Sequence, residues 1–246
     1  MRPITALAFV CVLGTGCASV PDGGERYVEV VEGATRIGCR GTDGEGAFGS
    51  RLARGPMLVA DAGPFAAWVE IEAKALRDGG GEGTCQNVSR LVISGEGATR
   101  VPFVQQPGWE GRNGNALELL DWSPDGTRLL LELFTWTYPT DVPDLLLLIW
   151  NARSGEIEQP GVNDALLARF GGDCEVRARG VGFTEGGEIV VAIEPTPRSA
   201  RPGCVAEREL RIFRRGSPGE LVPAGSARVR AWSTRQPAPP FDPSAR

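Results

Sequence analysis

The chain has 246 residues, 41% of them hydrophobic and 23% charged, enough for one buried core and too apolar for a disordered protein. A formal net charge of −5 and a sequence pI near 5.1 leave no basic excess to displace counterions, which argues against nucleic acid as the main partner. Histidine is absent, so the usual general base of serine and cysteine hydrolases and the commonest ligand of catalytic zinc are both missing.

Residues 1–17 read as a targeting segment: Arg2 supplies the positive start, and Ile4 to Leu13 is an apolar run too short to span a bilayer. Leu13-Gly-Thr-Gly-Cys17 resembles the lipobox of bacterial lipoprotein signals, with Leu13 four positions before the cysteine where the family has it at three. The resemblance implies acylation of Cys17 and attachment to the membrane through a lipid anchor; the alternative is an ordinary secretory signal cut after Ala18. Ala18 stands where an inner-membrane lipoprotein often carries Asp, so the resemblance favours the outer membrane, facing periplasm or exterior. Residues 18–26 are a polar, glycine-containing tether to a domain spanning 27–235, and the proline-rich tail 236–246 cannot build a ladder.

Within the domain, Leu117 to Gln159 sets the pattern. Apolar runs meet at Ser123-Pro-Asp-Gly126 and again at Arg153-Ser-Gly-Glu156. Pro presets φ, Asp bonds its own backbone and Gly accepts positive φ, so both tetrads are turns and the segment is a four-strand antiparallel meander. Trp122-Ser-Pro-Asp-Gly recurs as Phe183-Thr-Glu-Gly-Gly, 61 positions later. An apolar strand followed by Ser-Gly-Glu recurs at Ser94, Ser154 and Ser217-Pro-Gly-Glu220. These spacings divide the domain into units near 39–105, 106–165 and 166–225. The first lacks the turn motif. In it, Trp68 to Leu76 alternates as a strand, although its Ala and Glu content would also suit a helix. Asn163 to Phe170 reads as one or two helical turns with Asn163 as cap. Tyr27 to Ile37 resembles the last two strands of a unit and Ala227 to Ser233 a first strand, so the two ends are expected to share a sheet and close a ring.

Four cysteines remain in the body. Export makes disulfides the default, and the repeat pairs Cys39 with Cys85 and Cys174 with Cys204, each cysteine pair joining the start of strand one to the loop between strands two and three. Each bridge would add about 3–4 kcal/mol. The spacing fits no zinc ribbon, and no cofactor motif occurs. Thr42 to Gly46 is acidic and glycine-rich but lacks a full calcium ligand set.

The middle unit carries aromatic residues where the others carry cysteine. Trp136 and Tyr138 fall in an expected loop, Thr135 to Pro143, and Trp109 and Arg112 in the loop before the unit; meander geometry puts both loops on one face. Trp and Tyr with Arg are the residue types that anchor protein partners or stack on sugars. The bland alternative folds Trp136 and Tyr138 back as a cap on the core. Trp122 and Trp150 are read as core, and Asp125 as structural.

Trp122-Ser-Pro-Asp-Gly-Thr-Arg-Leu-Leu-Leu with Leu148-Ile-Trp-Asn-Ala-Arg-Ser-Gly-Glu resembles a repeat of the TolB-type and WD-type propellers. The resemblance implies an all-β fold, four-strand meanders arranged as a small or partial β-propeller, and a non-enzymatic platform for a protein or cell-envelope component. The alternatives are a β-sandwich in architecture and, in function, a carbohydrate-binding module or carboxylate-based hydrolase.

Overall fold

Alternating apolar and polar residues, punctuated by glycine, specify strands and turns, and the computed structural model of the chain is built almost wholly from them. It describes residues 29–32, 51–77, 83–107, 113–137, 144–171, 174, 176–195, 209–215 and 219–224. The signal segment, the tether, Thr42 to Gly46, the Ala227 to Ser233 strand with Trp232, and the proline-rich tail lie outside those residues.

Three sheets follow one another along the chain. The first contains β1 (Glu29–Glu32), β2 (Arg51–Arg54), β3 (Leu58–Val59), β4 (Ala66–Arg77), β5 (Gly83–Gly95) and β6 (Ala98–Gln105). The middle sheet contains β7 (Asn113–Trp122), β8 (Arg128–Thr137), β9 (Asp144–Asn151) and β10 (Ile157–Glu158). The third, after helix α1 (Val162–Phe170), contains β11 (Val176–Phe183), β12 (Ile189–Pro195), β13 (Glu209–Arg214) and β14 (Glu220–Pro223). The middle and third sheets are antiparallel meanders in chain order. In the first, β2 and β3 both pair antiparallel with β4 and act as two halves of one broken first strand, so the same meander appears a third time. Each expected unit holds one sheet, and Trp68 to Leu76 is strand.

The turn joining strands one and two shows why the units match. Ser123 N–H donates to Arg128 O and Gly126 N–H to Ser123 O, both at 2.8 Å, with Gly126 at φ 66°. Thr184 N–H donates to Glu188 O at 2.8 Å and Gly187 N–H to Thr184 O at 2.9 Å, with Gly187 at φ 78°. The first unit, read as lacking this turn, has it: Ala60 N–H donates to Phe65 O at 2.9 Å around Gly63 at φ 93°. Only the glycine is needed for the left-handed step, so Ala can replace Ser at the first position and erase the motif without erasing the turn.

These turns touch. A Cβ on Gly126 would fall onto the Ala62 carbonyl, and Arg128 Nη2 donates to Gly187 O at 2.7 Å. The strand-one-to-two turns of all three sheets therefore lie side by side, here called the turn end. The β4–β5, β8–β9 and β12–β13 connections consequently leave from the opposite, or loop, end. At the turn end Phe65 packs against Trp122 and Trp150 with ring centroids 6.2 and 5.4 Å away, and Trp122 Nε1 donates to Leu58 O at 3.1 Å.

Strand alternation makes the middle sheet apolar on both faces. Leu129, Leu131, Leu133, Leu148 and Trp150 meet Val69, Ile71, Leu91 and Ile93 of the first sheet. Leu130, Leu147 and Ile149 meet Phe183, Val191, Ile193 and Phe213 of the third, with Val162, Ala165 and Leu166 of α1. Register puts Val88 and Val92, and Val190 and Ile212, on the faces turned away from the middle sheet, and these too are buried.

Four expectations are corrected. Gly161, in the left-handed region, caps α1 in place of Asn163, and no side chain bonds the helix start. Glu29–Glu32, within the Tyr27 to Ile37 stretch expected to end a closing unit, lies instead parallel on β2 as an added strand of the first sheet, and residues 33–37 lie outside those described. Trp136 belongs to β8, opposite Gly114, because Thr135, Trp136 and Thr137 are strand formers that continue the ladder beyond the leucines. Cys85 is likewise in β5, opposite Ala75, and not in the loop before it.

Gly126→Ala meets both an unfavourable left-handed φ and the Ala62 backbone, whereas a Cβ on Gly97, at φ 78°, meets nothing within 4 Å. Urea denaturation should show Gly97→Ala costing about 1 kcal/mol and Gly126→Ala at least twice that. Asp125 accepts from Ser123 Oγ at 2.5 Å, Thr127 N at 3.1 Å and Thr127 Oγ1 at 2.8 Å. The Ser123 bond first, then those from Thr127, hold its pKa down to about 2, against a burial penalty. A carboxylate depressed in the fold stabilises above its ordinary value of 3.8, and that stability is lost as pH falls through about 2. The side chain is exposed, so Asp125→Ala should cost no more than about 1 kcal/mol at pH 7, read by the same denaturation.

Candidate functional site

The residues singled out by sequence fall in two groups. Cys17, Cys39, Cys204, Trp109, Arg112 and Tyr138 lie outside the described residues. Cys174 stands two positions before β11 and is disulfide-bonded. The sulfur it bonds lies outside what is described, as does the side chain of Cys85.

For the aromatic face, the backbone supplies geometry. Asn113 is in register with Thr137 and Gly114 with Trp136. The segment ending in Arg112 enters β7 at the point where the segment starting at Tyr138 leaves β8. β7 therefore starts, and β8 ends, at the loop end.

Sequence reasoning missed the polar residues that join the sheets. Between first and middle, Asn115 on β7 accepts from Ser89 Oγ at 2.6 Å and donates to the Asn87 carbonyl at 2.8 Å. Between middle and third, two carboxylates reach β11, the edge of its sheet. Phe183 N–H donates to Asp121 Oδ2 at 3.0 Å, and Gly180 N–H donates to Glu132 Oε1 at 3.1 Å. Arg179 Nε donates to Glu132 Oε2 at 2.7 Å, and its guanidinium sits 5.0 Å from the Phe134 ring centroid. A Cβ on Gly182 would strike the Asp121 carboxylate, so glycine is what lets the two sheets approach. An unpaired strand edge offers donors, and charged acceptors satisfy them at roughly twice the strength of neutral ones. Such a Glu, flanked by Leu on β8, gives no sequence signal beyond a polar residue where the apolar run should continue.

Burial is the chief influence on Glu132, which is 1% exposed; it raises the carboxyl against the opposing pull of Arg179 and Gly180 N–H. Glu118, its direct cross-strand neighbour, raises it further, to about 7. On the outward face of the first sheet the balance reverses. Burial of Glu72 raises its carboxyl, but Arg90 Nη2 at 2.7 Å and Lys74 Nζ at 3.2 Å outweigh burial and hold it below the ordinary value. Arg211, 7% exposed, pairs with Glu209 Oε1 through Nη2 at 2.5 Å, while among the described residues its Nε and Nη1 make no hydrogen bond.

Glycoside chemistry needs two carboxyl groups across an open cleft. Glu132 and Asp121 are committed to the neighbouring strand. Among the described residues no group of His, Cys, Asp and Glu could hold a metal ion. No family model, curated protein or solved structure matches the chain.

Glu132 predicts an unusual pH dependence. A carboxyl raised in the fold favours folding below its unfolded value of 4.5, and that contribution is lost as pH rises through about 7. Denaturation at pH 5 and pH 8 should show the protein more stable at pH 5 by up to about 3 kcal/mol, a difference that Glu132→Gln flattens.

Proposed function

We propose a non-enzymatic, lipid-anchored envelope protein whose β-propeller-like domain binds a protein or cell-envelope component through its loop end. The observation carrying this reading is the common orientation of the three meanders. Turn contacts from Ala62 through Gly126 to Gly187 fix one end, so every connection between second and third strands gathers at the other. A rigid scaffold with its variable segments at one end is how binding surfaces are commonly built.

Burial on the outward faces supports a ring. In an open stack of three sheets Val88, Val92, Val190 and Ile212 would face water, yet each is less than a tenth exposed. We assign their cover to a further unit outside the described residues, one to which β1, already paired with β2 in the first sheet, does not belong. The disulfides Cys39–Cys85 and Cys174–Cys204 belong to the same proposal. They would staple the loop end of the first and third units, leaving the middle unit's Trp109, Arg112, Trp136 and Tyr138 as the contact residues.

Crosslinking in the native envelope, followed by mass spectrometry, tests the reading. The wild type should yield a specific adduct that falls at least tenfold in a Trp136→Ala/Tyr138→Ala variant. Equal recovery of bulk neighbours from both would remove the binding face.

A further inference from the structure

The fourth strands of the three sheets differ in length. β10 has 2 residues and β14 has 4, whereas β6 has 8, Ala98 to Gln105. Among the described residues nothing pairs with the side of β6 that faces away from β5. Ala98 to Val101 are exposed without a break, and so is Val104; the two valines are 50% and 40% exposed. An apolar edge strand open to solvent is a template for a further strand.

Backbone geometry says which amides are on offer. Glu96 and Gly97, at φ 52° and 78°, form the two-residue hairpin turn that makes its flanking residues, Gly95 and Ala98, a hydrogen-bonded pair. Bonded and non-bonded pairs alternate along an antiparallel ladder, so Thr99, opposite Ser94, turns its N–H and C=O away from β5. Beyond it the ladder skips. Ile93 faces Arg100 and Leu91 faces Phe103, so Val101 and Pro102 together oppose Val92. Alternation along β5 carries through this bulge, makes Leu91 and Phe103 a bonded pair, and leaves Val104 pointing outward as Thr99 does.

The open amides are thus placed symmetrically, Thr99 before the bulge and Val104 equally far after it. A second β6 laid antiparallel, with Val101 opposite Pro102, brings Thr99 of each copy opposite Val104 of the other. Each outward N–H then meets a C=O. A regular strand would again set one residue against two at the bulge, whereas a copy carries the same extra residue and pairs throughout. Arg100, the one charged residue of the strand, meets Phe103 of the other copy, a cation beside a ring instead of a second cation. Pro102 has no N–H to offer, which disfavours other registers.

We propose that β6 is a self-association edge, through which two copies of this chain pair antiparallel about a two-fold axis with Thr99 against Val104. The strand runs along the side of the domain, so the pairing leaves the loop end free and does not depend on the function proposed above. The contact is at the small end of specific interfaces, so the dimer is a weak one that forms on concentration.

The test uses the full chain in detergent. Differently tagged Thr99→Cys and Val104→Cys chains are mixed and oxidised. Opposed Cα atoms of a bonded antiparallel pair are about 5.5 Å apart, within disulfide reach, while each of these positions lies roughly 16 Å from its own counterpart in the second copy. The mixed disulfide should therefore exceed either same-variant disulfide by about fivefold or more. Light scattering should show the protein mass doubling on concentration, and Thr99→Pro should hold it at the monomer value where the wild type is dimeric. That proline removes an N–H the β5–β6 ladder does not use, so the strand itself is retained. Val104→Pro should act alike, and serves if Thr99→Pro fails to fold. A wild type that stays monomeric up to about millimolar concentration, a dimer indifferent to both prolines, or a mixed disulfide no more abundant than chance overturns the pairing.

Discussion

The contact of Gly126 with the Ala62 backbone is the constraint on which the rest of this fold depends. A β-turn can approach another backbone that closely only where no Cβ intervenes, and the same glycine supplies the positive φ the turn needs. With Arg128 bonded to the Gly187 carbonyl, it lines up the three first hairpins. Once those are aligned, antiparallel pairing leaves no freedom about the other end. Each second strand runs away from the shared turns, and each connection to a third strand emerges on the far side.

The middle sheet is then the centre of the packing. Its leucines alternate between two cores, a pattern that in the sequence is simply a run of Leu, since a strand buried on both faces shows no alternation. Apolar packing brings the sheets together without fixing their register. The polar contacts do that: Asn115 holds β5, and Asp121 and Glu132 hold the edge of β11. Removing one partner of such a bond would leave a buried donor unmet, so these contacts define one arrangement of the sheets out of several with similar apolar burial. Glu132 maintains the joint at an electrostatic cost, because its burial and Glu118 both oppose its charge.

Much of this was legible in the residues, and the exceptions have physical reasons. Ser123-Pro-Asp-Gly and the repeated Ser-Gly-Glu turns disclosed the meanders because their side chains bond their own backbone. The first unit's turn, Ala60 to Phe65, keeps the glycine and the backbone bond but has no side chain to reveal them. Trp136 reads as loop by its place in the repeat, where the other units carry cysteine, yet it pairs with Gly114 because the strand formers Thr135 to Thr137 continue the ladder. Asn163 is a good cap by type, but Gly161 starts the helix two residues earlier by taking a left-handed φ that asparagine need not supply. The carboxylates joining the sheets were not foreseeable, since their partners are backbone donors some fifty to sixty residues away.

A common orientation of the three meanders is the central claim, and distances between their turns test it most directly. Nitroxides can be carried on ketone side chains at Asp61, Arg153 and Glu185, one exposed turn-end position per sheet, leaving the cysteines untouched. A strand the length of β8 spans about 33 Å, so pulsed electron resonance should return all three pairwise distances below about 30 Å. A fourth label at Thr137 should lie more than about 30 Å from Arg153. Any turn-to-turn pair as distant as the two ends of β8 would mean that one sheet is inverted, and the shared loop end would not exist.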